Sequence, residues 1–312
     1  MPLNILLLVI GMVLLFLGSE WLVRGASSLA LSLAVRPVIV GLTIVAFATS
    51  APELLVSITA SIKGSGGISI GNVIGSNVIN IALVLGLCSI IKPIDINSQI
   101  VNRELLFMCF VSVLFLLMTL DGRMGRVDGF ILLVLQFLFI IYGIFTSKDK
   151  NAVTVEGKIS ERKEFFRLGL LIIVGLLALG YGAHIVVKVA VFIAKEFGLS
   201  EVFIGLSIVA FGTSLPELAT SGVAIIKDKS DLSIGNVVGS NIFNICLVMG
   251  FVGFFSPIDV DNKVNFFESP LMIIMAFSLY YLGLKRKIIT QKHGLIYVGC
   301  FFLYIFVSFI LA

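Results

Sequence analysis

Glu53 and Glu217 each interrupt an apolar run, within Thr49-Ser50-Ala51-Pro52-Glu53 and Thr213-Ser214-Leu215-Pro216-Glu217. If those runs cross a bilayer, each acid is costly there and marks an ion or proton path. The prolines bear on the same spot. Pro52 and Pro216 lack a backbone donor and collide with the carbonyl four residues back, that of Ala48 or Gly212. The helix must bend there, and irregular backbone at membrane depth is tolerated only where it lines a cavity or is covered by protein. Thr49 and Glu53 are four residues apart, as are Thr213 and Glu217, so each pair can share a face once the helix resumes. A second block supplies Asn72, Ser76 and Asn80, again at intervals of four, beside Gly71 and Gly75. Its twin supplies Asn236, Ser240 and Asn244 beside Gly235 and Gly239. Together these residues offer two carboxylates, hydroxyls, amide oxygens and freed carbonyls, without imidazole or thiolate. Hard oxygen donors of this kind suit Ca²⁺ or Na⁺ and disfavour zinc or copper. Asn72, Asn77, Asn236 and Asn241 are read as hydrogen-bonding groups between helices rather than as ion ligands.

These blocks belong to one passage written twice. Residues 36–86 align with 200–250 at a constant offset of 164, and 29 of the 51 positions are identical. Ser76 and Asn80 follow Glu53 by 23 and 27 residues, and Ser240 and Asn244 follow Glu217 by the same intervals. A single proline-glutamate pair could be a kink with a snorkelling acid; two copies in register point to a shared site in a transporter built from repeats. The register extends outward: Pro93-Ile94-Asp95 matches Pro257-Ile258-Asp259, Glu104 matches Glu268, and Gly18 matches Gly182.

The elements that hold these residues are membrane helices. The 312-residue chain is 59% hydrophobic and only 13% charged, with a mean hydropathy of +1.14, where a soluble domain carries about 25% charge. The expected fold is an all-α polytopic membrane protein with ten spans, near 3–23, 37–62, 68–91, 104–120, 127–146, 166–192, 201–226, 232–255, 268–284 and 293–311. The first is read as a retained span, because it lacks a basic lead and a small-residue cleavage site. The polar stretch 147–165 divides the chain into halves 1–146 and 166–312, five spans each. Five is odd, so the second half enters from the opposite side, and the two repeats are inverted with their broken helices meeting at the midplane. Loops after odd-numbered spans, with Arg167 at the adjoining start of the sixth span, hold 16 of the 22 basic residues. The excess of positive charge puts 147–165 in the cytoplasm and both termini outside the cell membrane.

Other features are bland. Cys88, Cys109, Cys246 and Cys300 are isolated in apolar spans and read as inert thiols. The basic residues flank the bilayer and form no nucleic-acid face. Glu20 and His184 occupy matching positions near the expected ends of spans one and six, with local structural or gating roles. Asp121, Asp128, Asp259 and Asp261 read as solvated loop charges. The glycines of spans one and six (Gly11, Gly18, Gly25, Gly169, Gly175, Gly180, Gly182) read as close packing or as the surface of a moving pair.

The duplicated G-T-S-x-P-E-L and G-N-x-x-G-S-N-x-x-N blocks resemble those of the cation/calcium antiporter superfamily, most closely its prokaryotic sodium/calcium exchangers, over essentially the whole chain. The resemblance implies ten helices, an inverted repeat, and Na⁺-driven countertransport of Ca²⁺ by alternating access, with Ca²⁺ extruded from the cell. It also implies a central Ca²⁺ site of Thr49, Glu53, Thr213 and Glu217. Flanking Na⁺ sites would use the Ala46 carbonyl, Ser50, Ser240 and Glu217 on one side, and the Ala210 carbonyl, Ser214, Ser76 and Glu53 on the other. Asn80 and Asn244 would face the middle. The chain departs from the pattern at Ala48, where the second copy has Gly212, and at Asn244, where some potassium-dependent members have aspartate. An amide there counts against potassium dependence.

Two carboxylates match one Ca²⁺, and sharing Glu53 and Glu217 would make occupancy by Na⁺ and by Ca²⁺ mutually exclusive, the condition for exchange. Rival readings are a proton/Ca²⁺ antiporter titrating the same glutamates, a passive channel, and an intramembrane enzyme. The last lacks a base: the only histidines are His184 and His293. No cofactor, obligate protein partner or nucleic acid is expected, only the transported ions and the lipid bilayer.

Overall fold

The computed structural model describes residues 2–33, 35–97, 100–146, 162–196, 210–262 and 264–311. Apart from two short ribbons and the turns between elements, these residues are helical. Seven helices are long and apolar enough to cross a membrane, and a pair bent by 43° makes an eighth.

The first helix, α1 (Pro2–Ser32), packs along α9 (Arg162–Glu196). Their contact depends on absent side chains: a Cβ on Gly18 would stand 2.7 Å from the Gly175 carbonyl oxygen, and one on Gly175 2.8 Å from that of Gly18. Gly169 and Gly180 meet nothing within 4 Å among the described residues, so they are not part of this seam. Both helices outrun the expected spans. α1 continues past Arg24 because Ala26 and Ala30 are still completely buried, and α9 starts inside the expected linker. Glu20 and His184 therefore lie within helices, not near their ends as the spacing suggested. Glu20 forms a half-exposed ion pair with Lys227, 2.5 Å away.

The second span is broken. It runs through α2 (Pro37–Val40), a π-helical turn at Gly41–Val45, α3 (Ala46–Thr49) and, after the bend at Ser50, α4 (Ala51–Ile62). Then come α5 (Gly66–Ile79), a π turn at Asn80–Leu85 and α6 (Gly86–Ile91). A further π turn at Val101–Leu105 leads into α7 (Leu106–Thr119), followed by α8 (Arg126–Thr146). In the second half the counterpart of α2 and its π turn lies outside the described residues. The rest follows the same order: α10 (Ala210–Thr213), α11 (Leu215–Ile226), α12 (Ser230–Phe243), a π turn at Asn244–Met249, α13 (Gly250–Phe255), a π turn at Val264–Glu268, α14 (Ser269–Lys285) and α15 (Gln291–Leu311).

α4 and α11 end at matching left-handed residues, Gly64 (φ 76°) and Asp228 (φ 59°). Each turn is closed by a backbone bond of 2.8 Å, Ser65 N to Ala60 O and Lys229 N to Ala224 O. Asp228 also pairs with Lys92, which holds its carboxyl below the usual aspartate range.

Two ribbons join the halves. β1 (Ile94–Asp95) pairs antiparallel with β4 (Ile288–Ile289), and β2 (Arg123–Met124) with β3 (Ile258–Asp259). Between them the spans Gly66–Ile91 and Ser230–Phe255 are each 83% buried, against 22% for Arg126–Phe145, so the Asn/Ser blocks form the centre of the molecule. Their apolar faces share one core, in which Ile74, Val78 and Ile81 lie with Val238, Ile242 and Ile245.

Candidate functional site

Each proline break is a helix start. Ser50 (φ −84°, ψ 6°) and Ser214 (φ −86°, ψ 3°) leave helical geometry, and proline occupies the first turn that follows. A missing N–H costs little there. Glu53 and Glu217 consequently sit in the first turn of α4 and α11, where the positive end of the helix dipole favours an anion. Both are completely buried.

The hydrogen bonds around them come in mirrored pairs, one per half. Ser76 Oγ donates to Glu53 Oε1 at 3.4 Å, and Ser240 Oγ to Glu217 Oε1 at 3.2 Å. Asn72 Nδ2 donates to Ser57 Oγ and Asn236 Nδ2 to Ser221 Oγ, each at 3.0 Å. Thus oriented, the two amide oxygens point across the molecule: Asn236 Oδ1 accepts from Thr49 Oγ1 at 3.1 Å and Asn72 Oδ1 from Thr213 Oγ1 at 3.4 Å. Thr49 also lies 3.4 Å from Ser240 Oγ, and Ser50 Oγ donates to Glu217 Oε1 at 3.2 Å. Each threonine therefore turns toward the other half's block, a crossing that spacing along one helix did not reveal.

At the centre, Asn77 and Asn241 each donate to the other's backbone oxygen at 3.3 Å. Their side-chain oxygens accept from Asn244 Nδ2 (3.1 Å) and Asn80 Nδ2 (3.0 Å). Asn80 and Asn244 open π turns, a distortion frequent at functional sites. What remains after this pairing is a set of buried oxygens without a hydrogen bond within 3.5 Å among the described residues: Glu53 Oε2, Glu217 Oε2, Asn80 Oδ1, Asn244 Oδ1 and Ser214 Oγ. Leaving such oxygens bare costs about 1–3 kcal/mol each, and more for a carboxylate.

The twelve residues singled out from sequence fall into place as follows, with Ser214 buried at the bend ahead of α11. Thr49, Ser50, Ser240 and Glu217 form one connected group, and Glu53 and Ser76 a second. Thr213 joins the second group through Asn72, which also donates to the Glu53 backbone oxygen at 3.2 Å. Asn80 and Asn244 occupy the middle. The Ala46 oxygen keeps its helical bond from Ser50 N at 2.9 Å, and Ala210 opens α10. Sequence reasoning missed Ser57 and Ser221 as orienting groups and assigned no crossing role to Asn72 and Asn236. Identity of Ser57 and Ser221 at the repeat offset was the available signal. Among the described residues no three His, Cys, Asp or Glu side chains converge, so the fixed negative charge here comes from two carboxylates amid neutral oxygens.

Comparison with known proteins agrees with this chemistry. The family pattern described as sodium/calcium exchanger protein matches residues 3–145 and again residues 168–310. The chain is 35% identical over 308 residues to the putative antiporter CaxA of Alkalimonas amylolytica, covering 96% of this chain and 97% of that one. It is 31% identical to the sodium/calcium exchanger MaX1 of Methanosarcina acetivorans, covering 88% and 90%. A solved structure of the sodium-calcium exchanger NCX_Mj superposes with a TM-score of 0.86 at 32% identity, over 97% of both chains.

Proposed function

Because the chain belongs to the sodium/calcium exchanger protein family, whose members are cation antiporters of the membrane and not enzymes, we propose that it exchanges Na⁺ for Ca²⁺ by alternating access at Glu53 and Glu217. The observation that carries this reading is the set of unpartnered buried oxygens drawn from both halves. Carboxylate and amide oxygens that no protein donor satisfies are what a bare cation needs on losing its water.

In this reading Ca²⁺ is held between Glu53 and Glu217 with Thr49 and Thr213. Na⁺ is held beside each glutamate, by Ser50, Ser240 and the Ala46 oxygen on one side and by Ser76, Ser214 and the Ala210 oxygen on the other. Asn80 and Asn244 turn their free oxygens to the same space. Two carboxylates balance one Ca²⁺, so Na⁺ and Ca²⁺ compete for one charge-matched site. Their mutual exclusion couples the two fluxes. With the usual inward Na⁺ gradient, Ca²⁺ leaves the cell.

The architecture that serves this is ten spans in two inverted halves, 1–146 and 166–312, linked by the cytoplasmic stretch 147–165. The apolar helix α15 and the span around 201–226 would complete the count. Reciprocal ribbons support the inversion. β1 and β4 lie in loops that the basic residues assign to the cytoplasm, and β2 and β3 in loops assigned outside.

The test is Ca²⁺ uptake into liposomes driven by an imposed Na⁺ gradient at fixed pH. Glu53→Gln and Glu217→Gln are each expected to lower the flux at least about 100-fold, since removing one partner of a buried charge pair costs several kcal/mol. Full flux in either variant refutes the site. Ca²⁺ flux that follows a proton gradient and ignores Na⁺ transfers the same glutamates to proton exchange. The amides of Asn80 and Asn244, which cannot titrate, favour Na⁺.

A further inference from the structure

An apolar cavity lies apart from the proposed ion site. It has a volume of about 400 Å³ and opens between three helices, lined by Phe16 and Ser19 of α1, Cys88 and Ile91 of α6, and Gly222 and Ile226 of α11. Its one hydroxyl is already used, since Ser19 Oγ donates to the Phe16 carbonyl oxygen at 2.8 Å. A buried water needs about three polar partners, and this lining offers none, so the space is dry. Its rim is formed by side chains that face hydrocarbon: Phe16, Ile91 and Ile226 are 55%, 57% and 65% exposed. The cavity therefore opens sideways into lipid. Ile91 and Ile226 are each followed by a lysine, Lys92 and Lys227, at the level where such side chains reach the headgroups.

The lining differs from its counterparts at the repeat offset, where Phe16 and Ser19 become Gly180 and Ala183. The counterparts of Ala219 and Gly222 are Leu55 and Ile58, and those of Leu87, Ile90 and Ile91 are Phe251, Phe254 and Phe255. In that half the rings of Phe251 and Phe254 pack on Phe255, with centroids 4.4 and 5.0 Å apart. A Cβ built on Gly222 meets nothing within 4 Å among the described residues. The small side chains at Ala219 and Gly222 leave this groove open to an apolar guest.

We propose that this cavity takes up the acyl chain of a bilayer phospholipid, wedged between α1 and α11 with its headgroup beside Lys92 and Lys227. Because α11 carries Glu217 in its first turn, the chain lies against one of the two helices that build the ion site. The lysines are ion-paired with Asp228 and Glu20, so a polar, charge-balanced rim marks the headgroup level beside the cavity.

The experiment uses the full chain in phosphatidylethanolamine–phosphatidylglycerol vesicles, with a small fraction of phospholipid carrying a photoactivatable diazirine midway along one acyl chain. Mass spectrometry is expected to find adducts of intact phospholipid mass on peptides containing residues 16–19 and 218–226. In Ala219→Leu/Gly222→Ile, which installs the residue types of the other half, those adducts should fall at least about tenfold, as when contact with two or more methylenes is lost. Labelling of Phe302 and Phe306, lipid-facing at 64% and 61% exposure, should stay unchanged and reports that the variant is folded. Equal labelling of the lining in the filled variant overturns the proposal. So does an unlabelled lining in the unaltered protein when α15 is labelled. Neither readout depends on ion transport, so this proposal and the ion site can fail separately.

Discussion

Glu53 and Glu217 each keep one oxygen engaged by serine and one without a hydrogen bond among the described residues; the first holds the side chain still, and in the proposed site the second is the one offered to an ion. The same division runs through the asparagines. Asn77 and Asn241 spend their amides on one another and on Asn80 and Asn244, which frees an oxygen on each of the latter two. Asn77 is thus a positioning residue. Asn77→Ala would strip Asn244 Nδ2 of its acceptor in a buried setting, and a loss of about 1–3 kcal/mol is expected. Thermal unfolding of the purified protein would register it as a lower midpoint. An unchanged midpoint would mean that the central asparagines are not the joint they look like. Glutamate, serine and threonine were legible as the chemistry-bearing set because their types and repeat spacing are local properties. The crossing of Thr49 to Asn236, 187 positions away, is not local and could not be read in advance.

At the scale of elements, the seam between α1 and α9 depends on glycine where backbone meets backbone. Gly18→Ala places a methyl 2.7 Å from a carbonyl oxygen that cannot move without its helix, so a cost of about 1–3 kcal/mol is expected. Gly169→Ala on the same helix pair meets no described atom and should be neutral or stabilising by up to about 1 kcal/mol, through helix propensity. Opposite signs in denaturation experiments would locate the seam; equal effects would dissolve it. Breaks in α-helical geometry divide the same way between what could and could not be foreseen. Proline announced the bends at Ser50 and Ser214. Nothing in the local composition announced the π turns that begin at Asn80 and Asn244, because an extra residue in a helical turn is tolerated only when neighbours satisfy the displaced carbonyls. Those neighbours come from the other half.

Across the whole molecule, the ribbons put Ile94–Asp95 beside Ile288–Ile289 and Arg123–Met124 beside Ile258–Asp259, and in the proposed inverted arrangement the two ribbons lie on opposite faces. Exposed single cysteines test the orientation. With Arg123→Cys and Lys287→Cys, an impermeant maleimide added to intact cells should label the first and spare the second. Native cysteines interfere little, since Cys88, Cys109 and Cys246 are buried and Cys300 is half-buried. Labelling of both from one side would end the inverted arrangement. Helix extents were less legible than helix existence. α1 was expected to stop near Val23 and runs to Ser32, because small residues beyond Arg24 are covered by neighbouring helices rather than by lipid.

By itself the sequence determined the membrane-spanning character, the doubling of one passage, the break ahead of each glutamate and the oxygen donors at the repeated spacing, since hydropathy, proline sterics and donor type are carried by residues and their near neighbours. Tertiary structure alone decided which oxygens are consumed in holding the halves together and which stay bare, and that each half's threonine leans into the other's block. Those outcomes hang on through-space distances between segments far apart in the chain, where a shift of about 1 Å makes or breaks a hydrogen bond.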